Sequence, residues 1–248
     1  MEKEQITQEK KAAIINPKFQ RAAKYDPEWQ LLNEMGSPCL WLADAVSEKL
    51  NLKPGMKVLD LGCGRAISSI FLAKEYGVQV FATDLWIDAS DNWQRIREAG
   101  VEDLVCPVHA EAHSLPYAND FFDAVICLNS YQFYGTADTY FNDHLGKFVK
   151  PGGKLGFAIP GLLKEFDDLV PDYLKEHWWN EFYYFHSLDW WKRNFRRSGA
   201  VDIDFADDFS GYGMEMALLW EAIPDRMQMV RVDDKRNICW FDLILSKK

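Results

Sequence analysis

The sequence predicts an α/β fold, a mostly parallel sheet with helices on both faces, and three features of the chain predict it. Short apolar runs near 57–61, 78–83, 103–108, 122–128 and 153–159 alternate with longer stretches of helical character near 66–76, 88–98 and 138–148. Strands and helices at that spacing imply right-handed crossovers and a parallel sheet buried on both sides. The first run breaks into Gly62-Cys63-Gly64, a turn that opens a helix, and the second ends in Thr83-Asp84, a carboxylate at a strand end. After Ala200 the rhythm changes to an alternating run, Val201-Asp202-Ile203-Asp204-Phe205, and a last apolar run from Ile238 to Leu245.

Ahead of the sheet, residues from about 7 to 50 read as helical, interrupted at Asn16-Pro17, Tyr25-Asp26-Pro27 and Gly36-Ser37-Pro38. Leu40 to Val46 carries apolar groups at helical spacing, which directs that helix onto the sheet. Asn51 to Gly55 is a turn by composition. Between the fifth strand and the last two runs lies an aromatic segment, Glu176 to Trp191, in which Ser187 caps a helix carrying Trp190, Trp191, Asn194 and Phe195. Residues Met214 to Ala222 read as a further helix. The 248 residues, 48% of them apolar, are expected to form a single domain 1–248, with a helical cap over 1–50 and an aromatic lid insertion over 160–198.

A formal charge of −10 argues against nucleic acid and anionic membranes as partners, since both draw on clustered cations. The cluster Lys192-Arg193 with Arg196-Arg197 reads as a solvated helix face. The start of the chain is charged, and no apolar run approaches the roughly 20 residues that span a bilayer, so a cytoplasmic protein without membrane insertion is expected. The five cysteines form no Cys-x-x-Cys pair and read as reduced thiols, with no metal site.

Chemistry concentrates at the glycine turn. Asp60-Leu61-Gly62-Cys63-Gly64 has two glycines after an acidic strand residue, and Asp84 follows Asp60 by 24 residues, near the offset at which such folds meet a ribose. A dinucleotide fingerprint requires a third glycine where Ile67 stands, which disfavours NAD and FAD. The Asp-x-Gly-x-Gly loop, Asp84, the segment Ala110-Glu111-Ala112-His113, the run Phe122 to Ile126 and the turn Lys150-Pro151-Gly152-Gly153 stand in the order found in class I S-adenosylmethionine-dependent methyltransferases, a family this chain resembles. Ala66 departs from the pattern, because a further glycine is common there.

The resemblance implies a Rossmann-like, mostly parallel seven-stranded sheet ending in an antiparallel hairpin, and S-adenosylmethionine as cofactor, leaving S-adenosylhomocysteine as product. It assigns Asp60, Gly62, Cys63 and Gly64 to the amino-acid part of the cofactor, and Asp84 with Leu85 to the ribose side. Glu111 and Ala112 fall to the adenine, with His113 beside it, and Asn129 joins the set from the end of the fourth strand.

The partner it implies is a small-molecule acceptor, methylated at O, N, S or C by in-line displacement. His186 is the first candidate for a base, from its place in the aromatic segment and its ordinary pKa. Tyr131 and Tyr134, after the fourth strand, are candidates to orient the acceptor. The aromatic segment reads either as packing between lid and sheet or as an acceptor pocket. Two alternatives stay open: a lipid methylase of the cyclopropane-fatty-acid-synthase kind, and a cofactor-binding protein without catalysis. The sequence leaves the oligomeric state open.

Overall fold

The computed structural model describes residues 6–166, 169–209, 228–234 and 236–248. Its centre is a seven-stranded sheet: β1 (Lys57–Leu61), β2 (Gln79–Asp84), β3 (Val105–His109), β4 (Phe122–Leu128), β5 (Val149–Leu162), β6 (Val201–Asp207) and β7 (Ile238–Lys247). The order is β3-β2-β1-β4-β5-β7-β6, with β7 antiparallel to both β5 and β6 and every other pairing parallel. The terminal hairpin implied by the resemblance is thus present. The sequence reverses direction of growth between β1 and β4, and ligands of open α/β sheets bind in the crevice at such a switch point.

Alternation along the strands sorts the core. Val58, Ala124, Ile126 and Ala158 face one side with helices α1 (Cys39–Ser47) and α2 (Ile67–Tyr76), while Leu59, Val125, Phe157 and Leu243 face the other with α3 (Leu188–Ser198). Helix α1 lies so close to the sheet that a Cβ on Gly156 would come within 2.4 Å of Val46 Cγ1. Helix α2 is buried from Ile67 to Ala73, so sheet packing rather than an amphipathic face holds it. Helix α3 starts where Ser187 predicts, its hydroxyl accepting from the Trp190 amide at 3.3 Å.

Three expectations change. The stretch 138–148 forms a π-helical turn, Phe141–Leu145, followed by a 3-10 turn, Gly146–Phe148, in place of a regular helix. The fifth strand is longer than its apolar run, because its start pairs with Phe122 and its end with Ile238. The early helical region comprises short pieces, Gln8–Ala13, Ala22–Lys24 and Pro27–Asn33, joined by turns ahead of α1. The helix expected over Met214 to Ala222 lies outside the described residues.

Candidate functional site

At the carboxyl ends of β1, β2 and β4 the loops part around a cleft of about 420 Å³, a size typical of small-ligand sites. Gly62, Cys63, Gly64, Asp84, Leu85, Glu111, Ala112, His113 and Asn129 all line it; Asp60 does not. Tyr134 lines it as well, whereas Tyr131 and His186 do not.

The glycine loop is stitched to β2. The amides of Gly62 and Cys63 both donate to the Thr83 carbonyl, at 2.8 and 3.1 Å. The Gly64 amide donates to Asp84 Oδ2 at 2.7 Å, and the amides of Trp86 and Ile87 donate to Asp84 Oδ1 at 2.7 and 3.0 Å. A carboxylate offers about four lone-pair directions. Three are used by backbone here, so one lone-pair direction of Asp84 is left for a ligand.

Backbone shape explains the glycines. Gly62 has φ +77°, and a Cβ there would lie 2.1 Å from Ser130 Oγ. Ala66 occupies the left-handed region at φ 59°, which a glycine would enter without the strain of about 1–2 kcal/mol that a Cβ brings. The departure from the family pattern at Ala66 is therefore a local strain and leaves the loop's course intact.

Asp60 corrects its assignment. It shares a strand face with Val58, which turns it under α2, where Oδ2 accepts from the hydroxyls of Ser68 and Ser69, both at 2.6 Å. It is 1% exposed, and Oδ1 makes no hydrogen bond among the described residues. Burial pushes its pKa up to about 6, against the two serine bonds that favour the anion. Asp60 anchors the start of α2 behind the loop.

Tyr131 also departs from expectation. The 3-10 turn after β4, Tyr131–Phe133, rotates its ring into the core, stacked on Phe195 at 5.4 Å, with the hydroxyl buried and unbonded among the described residues. His186 faces away from the cleft: its ring stacks on Trp190 at 3.8 Å and its Nδ1 lies 3.3 Å from Glu165 Oε2. The adjacent Phe185 lines the cleft in its place. Tyr134 reaches the cleft, but its hydroxyl sits at 3.0 Å from both Ser130 Oγ and Cys127 Sγ and 3.3 Å from the Leu61 carbonyl. Burial raises its pKa well above the ordinary value, which keeps the proton on the hydroxyl.

At the other end of the cleft, His113 Nδ1 meets Glu111 Oε1 at 2.5 Å, a contact that holds the Glu111 carboxyl below the ordinary range. Tyr140 donates to the Ala112 carbonyl at 3.0 Å and fixes that backbone. Asn129 is a junction: with φ 61°, its Nδ2 donates to Ser37 Oγ at 2.7 Å, and its Oδ1 accepts from Trp240 Nε1 at 3.0 Å.

Other lining residues escaped the sequence reading, among them Met35, Trp86, Gln132 and Phe133, whereas Tyr184 belongs to the aromatic segment read as a candidate acceptor pocket. An aromatic residue two positions after the strand-end carboxylate, as Trp86 is, was the available signal. Gln132 had one too, as a polar residue inside an aromatic turn.

The methyltransferase-domain family matches residues 58–153, which contain the glycine loop, Asp84 and the Glu111 segment. The demethylmenaquinone methyltransferase of Corynebacterium efficiens is 32% identical over 174 residues, which are 66% of this chain and 70% of that protein. Methyltransferase GfsG of Streptomyces halstedii is 30% identical over 130 residues; there the match covers 52% of this chain but only 46% of the relative, so the chain spans about half the length of that protein. A solved geranyl diphosphate methyltransferase in complex with S-adenosylmethionine superposes with TM-score 0.70 and 18% identity, covering 96% of this chain and 94% of that one, which shows the shared fold. The chain belongs to the class I S-adenosylmethionine-dependent methyltransferases.

S-adenosylmethionine is the cofactor of that family, and the residues present fit it. The glycine loop is a cradle that a side chain would fill, since a Cβ on Gly64 would lie 3.0 Å from Met35 Sδ across the cleft. The carboxylates of Asp84 and Glu111 suit a cationic ligand, and Arg65 is turned to the Leu32 carbonyl at 2.8 Å. Among the described residues no helix is long and apolar enough to cross a membrane.

Proposed function

We propose that this protein transfers the methyl group of S-adenosylmethionine to a small, uncharged acceptor with a planar apolar body. The observation that carries this reading is a series of rings along the cleft. Trp86 follows β2, Phe133 follows β4 and Tyr184 comes from the aromatic segment; their centroids stand 5.8 Å and 6.2 Å apart, at 55° and 75° between planes. Trp86 is 67% exposed, Phe133 37% and Tyr184 42%, a large apolar area left in water at a site. Covering it with a flat ligand recovers about 25 cal/mol per Å², with about 0.5–1.5 kcal/mol more for each well-placed ring contact.

The cofactor supplies an electrophilic methyl group on a sulfonium. The chain's own part is positioning, which is worth several kcal/mol when the reacting atoms are held in line. In this reading Gly62, Cys63 and Gly64 hold the amino-acid end, Asp84 takes a ribose hydroxyl, and Glu111 with the Ala112 amide takes the adenine. Asp84 and Glu111 also repel a diphosphate, so an acceptor such as geranyl diphosphate is disfavoured. A relative named for a quinone acceptor is in keeping with a planar substrate.

The test is incubation with methyl-labelled S-adenosylmethionine and a panel of reduced demethylmenaquinone, 1-naphthol and geranyl diphosphate, with mass detection. Label in the planar members is expected. Label in geranyl diphosphate alone overturns the proposed acceptor class, and failure to bind S-adenosylhomocysteine overturns the whole assignment.

A further inference from the structure

We infer that Gln132 reads a hydrogen-bond donor on the acceptor, so that the preferred substrates carry a neutral O–H or N–H on the planar body. The inference rests on the methyl-transfer reading and narrows its substrate class. Gln132 sits in the turn after β4 between the core ring of Tyr131 and the cleft ring of Phe133; it lines the cleft and is 2% exposed. Its Nε2 donates to the Asn129 carbonyl at 3.0 Å, and that contact settles which end of the carboxamide is oxygen. Its Oε1 is buried and makes no hydrogen bond among the described residues.

A buried acceptor left unmade is costly, and the cost is recovered when a ligand supplies the missing donor. Asn129, which also lines the cleft, differs: both ends of its carboxamide are bonded, to Ser37 and Trp240, so Asn129 has structural work where Gln132 has an open valence. One further fact favours the acceptor over the cofactor as the group that meets it. Gln132 is the direct neighbour of Phe133, the middle member of the ring series that would hold the acceptor body. A site built to hydrogen-bond a hydroxyl discriminates strongly against an analogue that lacks it, because the buried partner is then left bare.

The experiment uses the full chain saturated with S-adenosylhomocysteine and titrates two probes of one shape, 1-naphthol and 1-methoxynaphthalene, following tryptophan fluorescence or heat. Wild type is expected to bind the naphthol at least ~10-fold more tightly, the factor one satisfied buried hydrogen bond gives. Gln132→Met, similar in length and without the oxygen, is expected to abolish that preference through weaker naphthol binding while S-adenosylhomocysteine affinity stays within about twofold. Gln132→Glu, whose buried carboxyl keeps its proton and donates it to the Asn129 carbonyl in place of Nε2, retains an acceptor oxygen and is expected to keep the preference. Equal binding of the two probes by wild type, binding of neither, or a preference that survives in Gln132→Met overturns the inference. A Gln132→Met variant that loses S-adenosylhomocysteine affinity instead places the oxygen on the cofactor and also overturns it. Intact S-adenosylhomocysteine binding in wild type keeps the methyltransferase reading standing in each of these cases. If Gln132→Met does not fold, the wild-type ratio and Gln132→Glu still decide.

Discussion

Ser130 stands where a side chain on Gly62 would have to be: its Oγ donates to the Leu61 carbonyl at 2.9 Å and lies 2.1 Å from the position of a Gly62 Cβ. The glycine is required twice over, by that approach and by φ +77°. Gly62→Ala is therefore expected to weaken S-adenosylhomocysteine binding at least ~10-fold, at a stability cost of about 1–3 kcal/mol. Adding Ser130→Gly removes the clash but not the strain, so the double variant should recover part of the affinity. Calorimetry on both proteins decides, and unchanged affinity in Gly62→Ala would place the cofactor elsewhere.

Asp84 accepts from three backbone amides, of Gly64, Trp86 and Ile87, and every one is a donor. Asn at this position must turn an NH2 toward at least one N–H. Asp84→Asn is accordingly expected to lose nearly as much S-adenosylhomocysteine affinity as Asp84→Ala, a few kcal/mol in either case. An Asn variant that binds like wild type would show that the carboxylate holds neither loop nor ribose.

The buried Asp60 gives a pH dependence with a definite sign. Its folded pKa of about 6 lies above the ordinary 3.8, so the folded state binds the proton more tightly than the unfolded state does. Stability from this group is thus present at low pH and lost as pH rises from about 4 to about 6, by on the order of 3 kcal/mol. Asp60→Asn carries no such loss. Denaturant unfolding at pH 4.5 and pH 7.5 should find the variant gaining on wild type at the higher pH; a difference that is flat with pH refutes the assignment.

Tyr131 and His186 lie outside the cleft, and their substitutions should separate structure from chemistry. Tyr131→Phe removes a hydroxyl buried without a partner among the described residues and is expected to raise stability by about 1 kcal/mol without loss of methyl transfer. His186→Ala should change turnover by less than about twofold, because the ring packs on Trp190 away from the site. A large fall in turnover at unchanged stability in either variant would restore the catalytic role.

The Asn129–Ser37 bond ties the segment ahead of α1 to the end of β4, and Met35, Gly36 and Ser37 line the cleft. Asn129→Gly keeps the left-handed backbone and removes the tie. Hydrogen exchange over residues 28–38 should accelerate in that variant, and in wild type exchange over 8–36 and 170–191 should slow when S-adenosylhomocysteine binds. Equal rates with and without ligand would show that these segments do not close on the cleft.

Much of this protein was legible in its residue order. The β1 and β4 spans and the cap at Ser187 follow from local rules of apolar period and turn chemistry, while the terminal hairpin and the convergence of Gly62, Gly64, Asp84 and Glu111 were implied by the resemblance of the motifs to the methyltransferase family. Whether a side chain at a strand end meets the ligand or the core is not a local property. Asp60 and Leu61 are neighbours, yet the pleat sends Asp60 under α2 while Leu61 lines the cleft. Tyr131 and Gln132 are neighbours too, and a single 3-10 turn puts one ring in the core and the other side chain in the cleft wall. Sequence alone determined the fold and the family. Only tertiary packing decided which residues face the cleft, because a rotation of about 100–180° per residue separates inside from outside and depends on what each element packs against.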